Sequence, residues 1–458
     1  MSEVSTPPPA DDGAVVLERL RAVAGGPQLL ALAATRTDAE LVGGAVRDLL
    51  LGGRPRELDV VVARDAAGFA RELAAALHAT VTEHTRFGTA VVEGVEARAD
   101  IATRRAERYA RPGALPEVRE GTPHEDLLRR DFTVNAIAVA LGGPRRGELR
   151  HVPHALEDLR AGRLRVLHER SFLDDPTRLL RLARYGARLG FAVEGRTDRL
   201  ADAAVAAGAL ASLSGARLGA ELRLALRAVW PIMTLALLDE RGVLRAVHPR
   251  LRLDERLVAA ALELLPDTAR LDLLLLAAIA VPLVLGAEDD ARVDDAPRGA
   301  PAAGVERAAE VERAAGAERT AGAELAALLD RLEFPRADRD LALAAALAAV
   351  RLARELPSCE RPSQVHALAA PAPLEGVALA GALGGHGNGR TGASEIARRW
   401  LSELRHVRLR IAGEDLLAAG VPEGPEVGRR LRATLALRLD GEIAPGREAE
   451  LRAAVRLP

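Results

Sequence analysis

The sequence predicts an α+β protein, with an N-terminal domain that mixes short strands with helices and a long all-helical remainder. Two observations carry this. Five short runs with strand character, Glu40–Val42, Leu58–Val62, Thr80–Thr82, Ala90–Glu93 and Ala97–Ile101, are broken by helical periodicity over Asp65–Leu77. Past Leu156 the strand signals stop, and Ala/Leu/Arg-rich stretches with apolar residues three and four apart take over. At 458 residues the chain is long enough for several domains and a substantial core.

In chain order, residues 1–12, with Pro7-Pro8-Pro9, read as a disordered leader, and residues 14–34 as helical. The five strands and the helix between them follow. A further helix is expected over Phe132–Leu141, closing the first domain near residue 147. Helices are then expected at Asp175–Gly190, Ala216–Val229, Pro231–Arg241 and Asp254–Leu265. Residues 285–323 are acidic and rich in Ala, Gly and Pro, with near-repeats of Val/Ala-Glu-Arg, and read as a partly disordered insertion. Helices resume at Ala323–Leu332 and Asp340–Arg354, and a Gly-rich loop at 383–393 precedes a last helical segment.

Composition narrows the function. The net charge is −2 and aromatics are 2% of the chain, which disfavours a base-stacking platform and confines any nucleic-acid contact to a local basic face. All 63 basic residues are Arg, as a GC-rich coding sequence would favour. The lone Cys359 can form no internal disulfide, and no signal peptide or charge-free run of spanning length is present, so a reducing cytoplasm is expected. The ten histidines lack metal-ligand spacing, and no His-Asp pair of the metal-phosphohydrolase kind occurs.

The chemistry concentrates in Leu41-Val42-Gly43-Gly44-Ala45-Val46-Arg47-Asp48 and Glu57-Leu58-Asp59-Val60. A Gly pair after a strand permits a tight turn and close approach of a phosphate to the backbone, although a bare Gly-Gly turn is more often only structural. On a strand, Glu57 and Asp59 share a face, and two carboxylates held together call for a cation between them. Beside phosphates that cation is Mg²⁺, a hard ion that takes one or two carboxylates plus substrate oxygens; the bland alternative is a pair of surface carboxylates on a strand edge.

Those motifs resemble the class II tRNA nucleotidyltransferase and bacterial poly(A) polymerase family, within the DNA polymerase β superfamily. Leu41–Asp48 is similar to the family's LVGGxVRD loop and Glu57–Val60 to its acidic pair. His84–Thr89, Ala99–Thr103 and Tyr109–Val118 resemble the next blocks, and Arg129-Arg130-Asp131-Phe132-Thr133-Val134-Asn135-Ala136 resembles RRDFTxNA. Asp174-Asp175-Pro176-Thr177-Arg178 looks like the EDxxR nucleotide-reading helix, and Ile411–Leu416 with Gly424-Pro425 resembles the late tail segment.

The resemblance implies a nucleotidyltransferase head at 39–147 with a five-stranded mixed sheet, after a leader and helices at 1–38. It further implies an all-α neck at 148–250 bearing the reading helix, and an RNA-binding body and tail at 251–458. Glu57 and Asp59 would be metal ligands in a two-Mg²⁺ site, with Asp100 the third carboxylate. Gly43 and Gly44 would offer N–H groups to the triphosphate, Arg47 would meet phosphate, Asp48 would brace the loop, and Arg130 and Asn135 would contact triphosphate and sugar. Asp175 and Arg178, with Arg181 continuing their face and Asp174 orienting them, would read the base. C and A both present an amino donor beside a ring-nitrogen acceptor, which a carboxylate and an Arg complement. Asp175 before Pro176 also fits an ordinary helix cap. Two positions depart from the family: Glu57 stands for Asp and Asp174 for Glu.

The expected activity is template-independent addition of CCA to the tRNA 3′ end and acceptor stem from CTP and ATP, with no membrane or protein partner implied. Poly(A) polymerase activity, addition of only A or only CC, and a catalytically weak RNA-binding factor are the alternatives.

Overall fold

The computed structural model describes residues 12–36, 38–84, 88–95, 97–293, 303–384 and 391–457. The leader to residue 11, the centre of the His84–Thr89 motif and the middle of the Gly-rich loop lie outside these residues. The chain divides into two compact units at Ser214/Gly215, so the stretch 148–250 expected as a neck straddles the division.

The first unit opens with α1 (Gly13–Leu20) and α2 (Gly26–Ala33). Next come β1 (Glu40–Val42), α3 (Gly44–Leu50), β2 (Leu58–Val62), α4 (Ala66–Leu77), β3 (Thr80–His84), β4 (Thr89–Glu93) and β5 (Arg98–Thr103). A hairpin of β6 (Arg105–Arg108) and β7 (Glu117–Glu120) leads to α5 (Pro123–Leu128), β8 (Ile137–Ala140), β9 (Leu149–His151), α6 (Ala155–Ala161) and β10 (Arg163–Leu164). The unit closes with α7 (Ser171–Asp174), α8 (Thr177–Leu189), β11 (Ala192–Val193) and α9 (Gly195–Ala206).

The main sheet has seven strands in the order β3-β4-β5-β2-β1-β8-β9, with β2 and β5 parallel and every other pair antiparallel. All five expected strands are present. The two extra ones correct the five-stranded count, and one of them replaces the helix expected over Phe132–Leu141, where a short 3₁₀ turn at Thr133–Asn135 runs into β8. The physical reason is burial: all four residues of β8 are inaccessible, so Ile137-Ala138-Val139-Ala140 shows no alternation, and a continuous apolar run cannot be told from a buried helix by period alone.

Local signals fix the remaining elements. Asp65 caps α4 by accepting from the Gly68 N–H at 2.9 Å, and a Thr122/Glu125 capping box starts α5. The α8 helix buries Leu179, Leu180, Leu182 and Ala183 on one face and ends at Gly190, whose φ of +66° suits glycine.

The second unit is all helical among its described residues. It runs α10 (Gly215–Leu226), α11 (Pro231–Glu240), α12 (Val243–Val247), α13 (Glu255–Leu262), α14 (Leu271–Val293), α15 (Ala303–Arg331) and α16 (Arg336–Glu355). Then follow α17 (Pro362–Ala369), α18 (Leu374–Gly384), α19 (Thr391–Ser402), α20 (Gly413–Ala418), α21 (Pro425–Leu439) and α22 (Arg447–Arg456). Of the insertion expected to be disordered, residues 285–293 and 303–323 are helical, as the ends of α14 and α15. Ala317, Ala321, Leu325, Leu328 and Leu329 are buried at three- and four-residue spacing, so the last turns of α15 carry a true packing face beneath their Ala- and Glu-rich composition. No helix among the described residues is long and apolar enough to cross a membrane.

Candidate active site

Parallel pairing of β2 with β5 sets Asp59 directly opposite Asp100, and Glu57 precedes Asp59 by two residues on the same face. One oxygen from each of the three carboxylates lies within 4.8 Å of the others. Burial pushes the Asp59 carboxyl up to about 7; the Arg130 and Arg47 charges work against this, and the Glu57 and Asp100 charges add to it. The Asp100 carboxyl is also raised, chiefly by burial, and its Oδ1 is buried without a hydrogen-bond partner. Three converging carboxylates, one holding an unsatisfied oxygen and another driven toward protonation, fit a hard divalent cation.

Arg98, which none of the sequence motifs contains, belongs to this cluster. Its guanidinium lies 3.5 Å from Glu57 Oε2, 3.8 Å from Asp100 Oδ1 and 2.9 Å from Glu93 Oε1. The signal was present, since residues 98 and 100 alternate onto one face of β5.

Gly43 ends β1 with φ +68°, and a Cβ there would stand 2.7 Å from Arg130 Nη1 and 3.6 Å from Asp59 Oδ2. Only glycine lets the loop lie against both groups. The Gly43 N–H is already committed to the Ile137 carbonyl at 2.9 Å, so Gly44, at the first turn of α3, is the member of the pair with an N–H outside the sheet. Arg130 donates to Asp126 Oδ2 at 3.0 Å, and its Nε is buried without a partner.

The other motif residues turn inward. Arg47, expected at a phosphate, is only 1% exposed; it donates to Asp48 Oδ1 at 2.6 and 2.9 Å and to Asn135 Oδ1, and its guanidinium lies 5.4 Å from the centre of the Tyr185 ring. Asp48 also accepts from Arg188 at 2.6 Å, which is a bracing role. Asn135, expected at the sugar, donates to Asp131 Oδ1 at 2.9 Å. Asp131 Oδ2 receives two bonds from Arg181, at 2.6 and 2.8 Å. Arg181 is thus held by the loop between α5 and β8, and Tyr185 packs edge-on against Phe132.

The reading motif is likewise engaged within the protein. Asp174 pairs with Arg170 at 3.2 Å. Asp175 lies between α7 and α8, where its Oδ1 accepts from the Thr177 hydroxyl and N–H at 2.6 and 3.2 Å, so it serves as a cap. Arg178 is buried, donating to Ser171 Oγ at 2.6 Å and to the Arg129 carbonyl at 2.7 Å.

Residues 39–165 match the poly(A) polymerase head domain. Over 213 residues the chain is 42% identical to an A-adding tRNA nucleotidyltransferase of Geobacter sulfurreducens, covering 46% of this chain and 24% of that protein. Over 215 residues it is 40% identical to the A-adding tRNA nucleotidyltransferase of Halalkalibacterium halodurans, covering 46% of this chain and 50% of the relative. The match thus spans half or less of these curated relatives. In fold the chain resembles the Thermotoga maritima CCA-adding enzyme solved in complex with tRNA, with a TM-score of 0.65 at 24% identity over 98% of this chain and 99% of that one. The acidic triad on β2 and β5 and the glycine loop before α3 all lie within the residues that match the poly(A) polymerase head domain.

Proposed function

We propose that the protein is a tRNA nucleotidyltransferase that adds A to the 3′ end of tRNA from ATP and releases pyrophosphate. The observation that carries the chemistry is the convergence of Glu57, Asp59 and Asp100 beside the Gly43 turn and Arg130. Three relatives at 40–42% identity over 41–46% of this chain are A-adding enzymes, which supports A addition over the full CCA activity that the motifs alone suggest, while a CC-adding enzyme matches a shorter stretch at 44%.

Glu57, Asp59 and Asp100 would hold Mg²⁺, which when bound offsets negative charge on the attacking and leaving oxygens of nucleotidyl transfer. The chain's own groups do the positioning. The loop at Gly43 and Gly44 brings backbone close to the triphosphate, and Arg130, against Gly43, supplies a fixed positive charge there. Arg47 acts at one remove: bound to Asp48 and Asn135, it fixes the α3 turn to the segment after α5. Selection of adenine is assigned to Asp175 and Arg178, a carboxylate and a guanidinium matched to its amino and ring-nitrogen edge. For this, Arg178 must exchange Ser171 Oγ for the base.

Full CCA addition is the second reading, favoured by that same edge, which cytosine shares. The test supplies ATP and CTP, separately and together, with Mg²⁺ and tRNA lacking CCA, ending in CC, or complete. One A added only to the CC-ended substrate is expected. Growth of the tRNA lacking CCA to the full triplet would replace the first reading with the second, a long A ladder would assign poly(A) synthesis, and absence of any product would refute the enzymatic proposal.

A further inference from the structure

The second unit contains a cavity of about 640 Å³ that the head chemistry does not use. Its walls come from α17, the start of α18, α19, the 404–411 segment and α21, and none of its lining residues is acidic. Three arginines face it, Arg405, Arg408 and Arg432, and among the described residues none of them has a carboxylate within ion-pair distance. Two of the three are held in place without losing charge: Arg405 donates to the Leu401 carbonyl at 2.5 Å, and Arg408 to the Arg405 and Val407 carbonyls at 2.6 and 2.9 Å.

The inner lining is different in kind. His366 and Trp400 stand with ring centroids 6.3 Å apart, and His366 Nδ1 and Trp400 Nε1 are both buried without a hydrogen-bond partner. Both atoms are themselves sealed from solvent, so the two residues meet the cavity through the other atoms of their rings. Burial and the Arg408 charge both hold the His366 imidazole below its ordinary range, leaving it neutral and able to accept or donate. Leu374, Leu409 and Leu431 supply apolar surface between the rings and the arginines.

We propose that this cavity binds a small organic phosphate of mononucleotide size, its phosphate on Arg405, Arg408 and Arg432 and its planar or apolar body against the His366/Trp400 wall. Guanidinium forks suit phosphate oxygens, and a concave, mostly apolar cavity of several hundred Å³ with a few polar groups is the usual form of a small-molecule site. A surface that only follows an RNA backbone needs a basic stripe and no such recess.

Trp400 permits a direct test, because the chain has only two tryptophans and the other, Trp230, is exposed. In the full-length W230F protein without divalent cation, titration with AMP should change Trp400 emission saturably. Inorganic phosphate at matched ionic strength should require at least about tenfold higher concentration, and R408A/R432A should raise the AMP midpoint by at least about tenfold. R432A alone, an exposed change on α21, should raise it in the same direction. D59N should not move it, and because the signal is read at Trp400 and not in product, the result is separate from the proposed A addition. No saturable change, an unaltered midpoint in both arginine variants, equal response to inorganic phosphate, or a response to tRNA with none to AMP would each overturn the proposal.

Discussion

At the scale of single residues, Asp59 and Asp131 show the same side chain set to opposite ends of its range. Burial would raise both. At Asp59 the like charges of Glu57 and Asp100 reinforce burial and the carboxyl reaches about 7, so without a cation it is protonated below that pH. Cation binding requires the deprotonated form, so affinity for Mn²⁺, followed by electron paramagnetic resonance, should rise as pH climbs through about 7 and level off above; a flat profile from pH 6 to 8 would count against a triad site. Removing the neighbouring positive charge in R98A should tighten Mn²⁺ binding by about two- to tenfold in the same assay, whereas weaker binding would mean that Arg98 orders the triad. At Asp131 the burial penalty is outweighed by the Arg181 charge and by bonds from Asn135 and Arg181, and the carboxyl falls to about 2. Its folded value lies below the unfolded one of 3.8, so about 2 kcal/mol of stability is fully present above pH 4 and is lost as pH falls toward 2. Denaturant titrations of D131N should show a lower stability at pH 7 and a shallower loss between pH 4 and 2. The acidic triad was legible in the sequence because strand alternation is a two-residue rule. The burial of Arg47 and Arg178 was not, because their partners Asn135 and Arg129 are 88 and 49 residues away.

At the scale of elements, β8 and α8 organise the head. β8 sits between β1 and β9 and receives the Gly43 N–H on its Ile137 carbonyl, so the turn that exposes Gly44 depends on a strand that the apolar run Ile137–Leu141 disguised as a helix. G43A would force a Cβ into the Arg130 guanidinium from a positive φ, and should lower nucleotide addition by at least about a hundredfold with little change in the secondary structure read by circular dichroism. From α8, Arg181 and Arg188 reach Asp131 and Asp48, two turns apart, and tie the helix following the reading motif to the loop after α5 and to α3. The helical half of the chain was read correctly wherever apolar spacing was strong. At 303–323, where Ala and Glu repeats obscure the spacing, α15 begins at Ala303, ahead of the Ala323 start that the apolar spacing suggests. L325A, in the buried face of α15, should cost about 2–4 kcal/mol in urea unfolding, whereas a change within about 0.5 kcal/mol would mean that this face is solvated.

At the scale of the whole molecule, the fold resembles a CCA-adding enzyme over 98% of the chain, and residues 39–165 match the poly(A) polymerase head domain. The relatives at about 40% identity match less than half of the chain. Glu57 and Asp174, where the family pattern has Asp and Glu, stand in the triad and beside the reading motif. They alter arm length without altering charge. We propose that the Glu57/Asp59/Asp100 triad carries nucleotide transfer to the tRNA 3′ end. The most direct measurement is incorporation of radiolabelled ATP into CC-ended tRNA by the full-length protein and by D59N, an isosteric change that keeps the strand intact. One A per tRNA is expected with the unaltered protein, and a loss of at least about a thousandfold in D59N. Equal incorporation by the two proteins would place the chemistry elsewhere and contradict the account.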